Sequence, residues 1–480
     1  MSTSSNPHST DSEKYLFIKT YGCQMNVYDS DRMIELLAPL SFKSVYTPDQ
    51  ANLIIINTCH IREKATEKVF SELGRLHRLK LKAKNEGRQL LLAVAGCVAQ
   101  AEGNEIISRA PFVDMVFGPQ TYHRLPQMIK QAEELNNTNQ AGARIIDIDF
   151  DTEKKFDELP VEVTSRSSSF LTIQEGCDKF CSFCVVPYTR GAETSRSPEQ
   201  VMREAKQMIQ RGAKEIILLG QNVNAYHGTL NNRIECSLGR LIRELANLNG
   251  LDRIRYTTSH PNDMGDDLID AHGDVPQLMP YLHLPVQTGS DRILRAMNRK
   301  HDVSSYLRVI DRLRNARNDI AFSSDFIVGH PGETDQDFAQ TLKLISEVEY
   351  SQAYSFKYSA RPGTPASTKK QIPEKTKSDR LQTLQQLLAA QQLAFNLRTV
   401  NSTQPVLVEK KGRKKGQLVG RSPFMQAVYF DGPENLIGQI QCIHIKEGFA
   451  NSLAGKLVCR EDKSPTSNKN ETETLKGAHV

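Results

Sequence analysis

Three cysteines stand close together near the middle of this 480-residue chain. Cys177, Cys181 and Cys184 form a C-x3-C-x2-C run that follows a short apolar stretch, residues 170–173. A structural zinc ion is usually closed by four protein ligands, and a [4Fe–4S] cluster has four iron corners that usually take four thiolates. Three thiolates in one loop therefore predict a four-iron cluster with one iron open to a non-protein ligand, with a zinc site as the alternative.

A second set of three cysteines lies in the first hundred residues, and each member follows a predicted strand. Cys23, Cys59 and Cys97 come shortly after apolar runs, which are residues 15–19, 53–56 and 91–95. The carboxyl ends of parallel strands meet at one edge of an open α/β sheet, so we expect these thiols to converge. Three separate core cysteines are the alternative, because free cysteine is often buried.

The N-terminal segment that carries this second set reads as a doubly wound parallel-sheet domain over residues 13–150. Its apolar runs, with a fourth at 114–117, alternate with helical patterns in which apolar side chains recur every three or four residues. Such alternation is typical of βαβ units. Residues 1–12 are polar and are predicted to be a disordered tail.

The central segment, residues 163–395, contains six strand-like runs with helical patterns between them. The runs are residues 170–173, 215–219, 253–257, 281–284, 321–328 and 353–358. Six βα units predict a partial TIM-like (βα)6 barrel, whose site should lie at the carboxyl ends of the strands. The first cysteine set follows the first of these strands. A helix over 382–396 is predicted to link this barrel to the next domain.

The C-terminal segment, residues 398–460, changes to five short strands separated by turns, which predicts a small all-β barrel of the OB type. Between its first two strands lies a basic run, made of Lys410, Lys411, Arg413, Lys414 and Lys415. Residues 401–460 hold nine Lys and Arg and four Asp and Glu, so they carry the +5 net charge of the whole chain. A basic hairpin on a small barrel favours RNA binding. The alternative is a lysine-rich turn that is only solvated. Residues 461–480 are predicted to be disordered.

Composition limits the class of protein further. The chain has no apolar run of about 18 residues, which a membrane span needs, and its start lacks the apolar core of a secretory signal. Nine cysteines, an odd count, are more typical of reduced thiols inside the cell than of disulfides. We therefore expect a cytoplasmic protein without membrane contact. Cys236, Cys442 and Cys459 stand apart and are predicted to be structural.

The motifs resemble those of the radical S-adenosylmethionine (SAM) methylthiotransferases. The resemblance rests on the C-x3-C-x2-C run and on three N-terminal strings, which are residues 20–26 (TYGCQMN), 57–65 (NTCHIREKA) and 95–100 (AGCVAQ). It implies that Cys177, Cys181 and Cys184 hold a radical-generating [4Fe–4S] cluster whose open iron binds SAM. It also implies an auxiliary [4Fe–4S] cluster on Cys23, Cys59 and Cys97, and an RNA-binding TRAM domain at the C-terminus.

Within this family, the TYGCQMN string is typical of the branch that acts on N6-isopentenyladenosine in tRNA, and it differs from the strings of the ribosomal-protein and threonylcarbamoyladenosine branches. That branch converts N6-isopentenyladenosine next to the anticodon (position 37) to its 2-methylthio derivative, using one SAM for the radical and one for the methyl group. The clusters carry the chemistry, so no side chain is expected to act as a catalytic acid or base. The resemblance implies that Gly220, Gln221, Asn222 and Gly329 contact SAM. It also implies an electron donor such as flavodoxin or ferredoxin, and we expect a monomer.

Two other functions stay open from the sequence. A methylthiotransferase of this kind can act on another substrate, either threonylcarbamoyladenosine in tRNA or a ribosomal protein. A non-catalytic, zinc-containing RNA-binding protein would also account for the cysteine sets and the basic barrel, although not for their combination with a βα barrel.

Overall fold

The computed structural model describes residues 13–59, 65–138, 144–150, 166–230 and 234–458. His60, Cys459 and the predicted tails lie outside the described residues. Three domains follow one another along the chain, as the sequence predicts. Among the described helices, none is long and apolar enough to cross a lipid bilayer.

The N-terminal domain is a six-stranded parallel sheet with helices on both sides. Its elements are β1 (Lys14–Tyr21), α1 (Gln24–Leu37), β2 (Phe42–Ser44), β3 (Leu53–Thr58), α2 (Ala65–Asn85), β4 (Leu91–Ala95), α3 (Cys97–Arg109), β5 (Met115–Phe117), α4 (Leu125–Asn137) and β6 (Ile145–Asp147). The strand order is β2-β1-β3-β4-β5-β6, and separate apolar cores lie on its two faces. The order reverses direction between β1 and β3, which is where ligands bind in such sheets.

The central domain contains the six predicted strands and the helices between them. Its elements are β7 (Ser168–Thr172), β8 (Gln174–Glu175), α5 (Val186–Arg190), β9 (Thr194–Ser195), α6 (Pro198–Gln210), β10 (Glu215–Leu219), β11 (His227–Leu230), β12 (Ile234–Ser237), α7 (Leu238–Ala246), β13 (Arg253–Tyr256), α8 (Asp266–Asp274), β14 (Tyr281–His283), α9 (Asp291–Ala296), α10 (Val303–Ala316), β15 (Ala321–Val328), α11 (Asp335–Val348), β16 (Gln352–Lys357) and α12 (Glu374–Arg398).

The six main strands form two parallel three-stranded sheets, ordered β7-β10-β13 and β14-β15-β16. A backbone bridge between Ile254 and Leu278 joins the two halves, and one continuous apolar core packs the helices against both. Local side-chain caps begin several helices; the Ser197 side chain, for example, accepts a hydrogen bond from the Gln200 amide at the start of α6. The prediction of a partial (βα)6 barrel is confirmed.

Side chains from both flanking domains fill the first half of this open barrel. Ile217 and Leu219 of β10 point away from the helix-facing core, since strand side chains alternate between faces. Met25 and Tyr28 of α1 pack against them, and Met425 of the C-terminal domain joins the same cluster. The three domains therefore share a packed interior.

The C-terminal domain is a closed five-stranded barrel. Its strands are β17 (Thr403–Lys411), β18 (Gln417–Arg421), β19 (Ala427–Asp431), β20 (Ile440–Phe449) and β21 (Ser452–Leu457), in the closed order β17-β18-β19-β21-β20. The barrel rests on the central domain through Arg255, which donates to the carbonyl oxygens of Ser422 (2.9 Å) and Pro423 (2.8 Å). The linking helix α12 begins at Glu374, earlier than predicted, because its first half packs Leu384 into the central core.

Candidate functional site

The structure brings Cys23, Cys59 and Cys97 together at the carboxyl edge of the N-terminal sheet. Cys23 caps the start of α1, Cys59 follows β3, and Cys97 is the first residue of α3. The Cys59 amide donates to the Tyr21 carbonyl at 3.0 Å, and a Cβ atom at Gly96 would lie 2.8 Å from the carbonyl oxygen of Thr58. Cys59 and Cys97 are buried, while Cys23 lies on the open side. Convergence of these residues, predicted from their position after three strands, is therefore seen directly.

Two glycines allow the three cysteine loops to approach each other. Gly22 has φ +135°, and a Cβ atom there would lie 2.4 Å from the Cβ of Cys59. Gly96 has φ +89°, and a Cβ atom there would lie 2.4 Å from Oδ1 of Asn57. Only glycine combines such backbone angles with so little space. The loops are thus packed too closely for any side chain at these two positions.

The environment favours the thiolate form of two of these cysteines. A hydrogen bond from Cys59, aided by the charge of Arg190, lowers the pKa of Cys23 to about 7. The same two influences hold the pKa of Cys97 well below its usual value. Interactions with the Cys23 and Cys97 thiols, together with burial, raise the pKa of Cys59 well above its usual value. Thiolates are the form that binds metal, so this donor set fits an iron–sulfur cluster.

The second triad lies in the loop between β8 and α5, at the carboxyl end of β7. Neighbouring loops of the barrel hold it through backbone hydrogen bonds. The Gly176 amide donates to Oε1 of Gln221 (2.6 Å), the Cys177 amide to the Gly191 carbonyl (3.2 Å), and the Ser182 amide to the Met297 carbonyl (2.9 Å). Its shape is therefore set by the scaffold before any cofactor binds.

Burial raises the pKa of Cys177 to about 11 and that of Cys184 to about 12. A group that takes these residues as thiolates must bring positive charge, as iron does. Arg299 adds one cation, with Nη1 3.8 Å from Sγ of Cys181. In the described ranges, no three His, Cys, Asp or Glu side chains are arranged for a single metal ion. The fit of the two triads to iron–sulfur clusters thus rests on the chemistry of their thiol ligands and on there being three in each triad.

The predicted SAM residues Gly220, Gln221 and Asn222 lie directly after β10, beside this loop. Oε1 of Gln174 accepts the amides of Gln221 (2.9 Å) and Asn222 (3.0 Å). The Asn222 side-chain amide donates to Asp263 (2.8 Å), which also pairs with Lys179 at 2.7 Å. Oδ1 of Asn222 is buried and has no partner among the described residues. A buried oxygen without a hydrogen-bond donor can accept from the amine of an amino-acid ligand such as SAM.

Gly329 occupies a different environment from the other three. It follows β15 with φ +76°, and its amide donates to both carboxylate oxygens of Glu333 at 3.1 Å. The side chain of Lys377 fills the space a Cβ atom would take. The turn therefore explains why position 329 is a glycine, without reference to SAM.

Arg190 is the site residue that the sequence analysis missed. It ends α5, is 2% exposed, and donates to Asp29 of α1 (2.7 Å) and to Glu175 (3.3 Å). Its charge also helps to hold the pKa of Cys97 well below the usual value. No spacing rule marks this arginine, because its partners come from distant parts of the chain. It connects the N-terminal triad to the residue two places before Cys177.

The basic run lies on the hairpin between β17 and β18. Its five side chains, Lys410, Lys411, Arg413, Lys414 and Lys415, are all exposed. Lys411 pairs with Glu434 at 2.7 Å, so part of its charge is neutralised. Of the three cysteines predicted to be structural, Cys236 is buried, but Cys442 is exposed on β20 because its side chain points away from the barrel core.

Three family models match the three domains. They are the Radical SAM superfamily over residues 171–345, the uncharacterized protein family UPF0004 over 15–118, and the TRAM domain over 397–458. With the fold and the triads, they define a radical SAM enzyme that carries a C-terminal TRAM domain. Such enzymes use a [4Fe–4S] cluster and SAM.

Curated relatives narrow this class. The chain is 58% identical over 447 residues to a tRNA-2-methylthio-N(6)-dimethylallyladenosine synthase of Jannaschia sp. (strain CCS1), covering 93% of this chain and 94% of the relative. It is 55% identical to the synthase of that name from Rickettsia bellii (strain OSU 85-389), over 92% of this chain and 99% of the relative. The chain therefore belongs to the tRNA-2-methylthio-N(6)-dimethylallyladenosine synthase family. It is a transferase, as the motifs predict.

Solved structures share the fold at low identity. One is the radical SAM methyltransferase TsrM from Kitasatospora setae with cobalamin and a [4Fe–4S] cluster bound, which has a TM-score of 0.55 at 13% identity. The match covers 74% of this chain and 77% of the TsrM chain. The cobalamin-dependent radical SAM enzyme OxsB has a TM-score of 0.51 at 13% identity, and the match covers 79% of this chain and 56% of the OxsB chain. These likenesses show the architecture alone.

Proposed function

We propose that this chain methylthiolates N6-isopentenyladenosine at position 37 of tRNA in the cytoplasm, with two [4Fe–4S] clusters and two molecules of SAM. The clusters and SAM, when bound, supply the radical, the sulfur and the methyl group. An aryl C–H bond is not acidic enough for a side-chain base, so the protein's part is to bind, orient and exclude water. The observation that carries the proposal is the convergence of three N-terminal thiols beside the Cys177 loop.

In this proposal Cys177, Cys181 and Cys184 hold the radical-generating cluster. The barrel loops position SAM on its open corner: Oδ1 of Asn222 accepts from the amine of SAM, while Gln221 fixes the loop through Gly176. Cys23, Cys59 and Cys97 hold the auxiliary cluster on the other side of Arg190. The two triads would hold their cofactors at the boundary between the N-terminal and central domains, which Arg190 bridges through Asp29 and Glu175.

The tRNA substrate is assigned to two surfaces. The exposed basic hairpin of the C-terminal barrel binds phosphates. The target base has to leave its stack to reach the barrel. On the edge strand β16, Tyr354 (47% exposed) and Phe356 (50% exposed) share a face with Asp325 and Ile327 of the neighbouring strand. These aromatic rings offer a stacking surface for an extruded base.

An electron has to reach the radical-generating cluster from outside, and a flavodoxin or ferredoxin is the donor we propose. We also propose that one chain suffices, because both triads and the basic hairpin belong to the same polypeptide. Sedimentation with and without tRNA tests the second point; a dimer that forms only with tRNA would contradict it.

The experiment that tests the function measures iron, sulfide and zinc in anaerobically reconstituted protein. We expect about eight irons per chain for the wild type and about four for each triple variant, Cys177/Cys181/Cys184→Ala and Cys23/Cys59/Cys97→Ala. The first variant should lose SAM cleavage. The second should still release deoxyadenosine but form no methylthio nucleoside.

Cys236→Ala and Cys442→Ala are the matched controls, because neither residue belongs to a triad. Both should keep the full iron content and the activity. Zinc in place of iron would overturn the radical mechanism, and an unchanged tRNA nucleoside profile in a deletion strain would overturn the substrate.

A further inference from the structure

Arg190 stands between the two cysteine triads and touches the surroundings of both. On one side its guanidinium donates to Asp29 at 2.7 Å, in the helix that follows Cys23, and its charge helps to hold the pKa of Cys97 below the usual value. On the other side it reaches Glu175, which precedes Gly176 and Cys177 in the chain, at 3.3 Å. Its backbone carbonyl accepts from Nε2 of Gln120 at 2.8 Å, so its main chain is also held by the N-terminal domain.

We propose that Arg190 is a positioning residue for the auxiliary cluster: it holds the helix that follows Cys23 against the segment that precedes Cys177, and its charge raises the reduction potential of that cluster. The inference rests on the proposed function, since it requires a cluster on Cys23, Cys59 and Cys97. It goes beyond that function by giving a role to a residue outside both triads.

The physical basis is a positive charge at a buried position, since Arg190 is 2% exposed. Arginine stays protonated under all ordinary conditions, and the effective dielectric constant is low where a side chain is buried. A cation beside a cluster stabilises the reduced, more negative state, and hydrogen bonds to its sulfurs act in the same direction. Asp29 and Glu175 hold the guanidinium between the helix that follows Cys23 and the segment that precedes Cys177.

The radical-generating triad has a comparable arginine. Arg299, which is 7% exposed, approaches Sγ of Cys181 at 3.8 Å. One buried arginine therefore faces one thiol of each triad. The two differ in their other partners: Arg299 also donates to the carbonyl oxygen of Pro285, whereas Arg190 is bound by two carboxylates from different domains.

The test is a redox titration of the auxiliary cluster, followed by electron paramagnetic resonance, in the Cys177/Cys181/Cys184→Ala background. This background leaves one cluster, so its midpoint potential can be read without overlap. Arg190→Met should move the potential to a more negative value. Because that variant leaves two buried carboxylates without their cation, Arg190→Met/Asp29→Asn provides a second variant that keeps the net charge of the network, and the same direction is expected.

Arg196→Met is the matched control. Arg196 is a buried arginine of the same domain, pairs with Glu204 at 2.8 Å and donates to the Thr172 carbonyl at 2.7 Å. The Arg196→Met variant should leave the midpoint potential of the auxiliary cluster unchanged while lowering the stability of the protein. An auxiliary cluster whose potential is the same with and without Arg190 would overturn this inference alone. A background protein with no iron at all would overturn the proposed function together with it.

Discussion

The carboxylate of Asp29 accepts a hydrogen bond from the guanidinium of Arg190 at 2.7 Å, and both side chains are 2% exposed. The two residues are 161 positions apart in the chain. Asp29 belongs to the helix that starts at Cys23, and Arg190 belongs to the helix that follows Cys184. This ion pair therefore links the helix that follows Cys23 to the helix that follows Cys184, across the boundary between two domains.

Asp29→Asn should destabilise the protein by about 3–5 kcal/mol, because it removes one partner of a buried ion pair. Asp31→Asn is the matched control on the same helix. Asp31 pairs with the exposed Arg166 at 2.8 Å, and a pair at the surface contributes about 0–1 kcal/mol. Urea unfolding followed by circular dichroism measures both. Equal losses would show that burial of the Asp29 pair has no special weight.

Gly22→Ala should disrupt the auxiliary site without affecting the radical-generating one. The new methyl group would overlap Cβ of Cys59, and the backbone angle disfavours any side chain. We expect the iron content to fall by about half, with deoxyadenosine formation retained.

Gly74→Ala in α2 serves as the control, since no atom lies within 4 Å of its Cβ position. It should stabilise the helix by about 0.5–1 kcal/mol and leave the iron content unchanged. A Gly22→Ala protein that keeps its full complement of iron would contradict the close packing of these loops.

Replacing Lys410, Arg413, Lys414 and Lys415 with Gln should weaken tRNA binding at low salt and flatten its salt dependence. Each side chain that no longer neutralises a phosphate reduces the slope of log K against log salt by about 0.7–0.9. Adding Lys411→Gln should change little more, because Lys411 pairs with Glu434. Fluorescence anisotropy at several salt concentrations gives the slope. The exposed pair Lys82→Gln/Lys84→Gln on α2 is the control, and an equal effect there would argue against a specific RNA surface.

Acid should destabilise the central domain through His272. Burial, aided by the charge of Arg317, lowers the pKa of His272 to about 3, while the unfolded chain has a value near 6.5. The folded state therefore loses stability as the pH falls below about 6.5, by about 2 kcal/mol at pH 5 from this residue. The full contribution is present above pH 6.5.

His272→Gln should make the unfolding free energy less dependent on pH between 7 and 5, whatever its effect at pH 7. Denaturant titrations at both pH values test this. An unchanged slope with pH would show that His272 does not titrate on unfolding.

Strands buried on both faces were the most predictable part of the fold. The apolar runs that became β3, β4 and β10 have no polar face, as expected for parallel strands inside an α/β sheet. Position after β1, β3 and β4 was enough to predict that Cys23, Cys59 and Cys97 lie close together. The short strands β2 and β6 escaped prediction because their pairing, and not their composition, defines them.

Contacts between domains were not predictable from the sequence. Arg190 follows no periodicity, and its carboxylate partners lie in segments whose relative placement depends on the whole fold. The same holds for Met25 and Met425, which read as ordinary apolar residues. The exposed Cys442 shows the converse: a cysteine on a strand cannot be assigned to the core without knowledge of which face the barrel covers.

The placement of Met425 also bears on how the protein is made. A ribosome releases the six barrel strands before it synthesises Met425, so the apolar wall formed by Ile217 and Leu219 stays incompletely covered while the last domain is still in the exit tunnel. Newly made chains thus pass through a stage with a finished N-terminal domain and an open barrel. At that stage Ile217 and Leu219 are open to binding by chaperones, until Met425 packs against them.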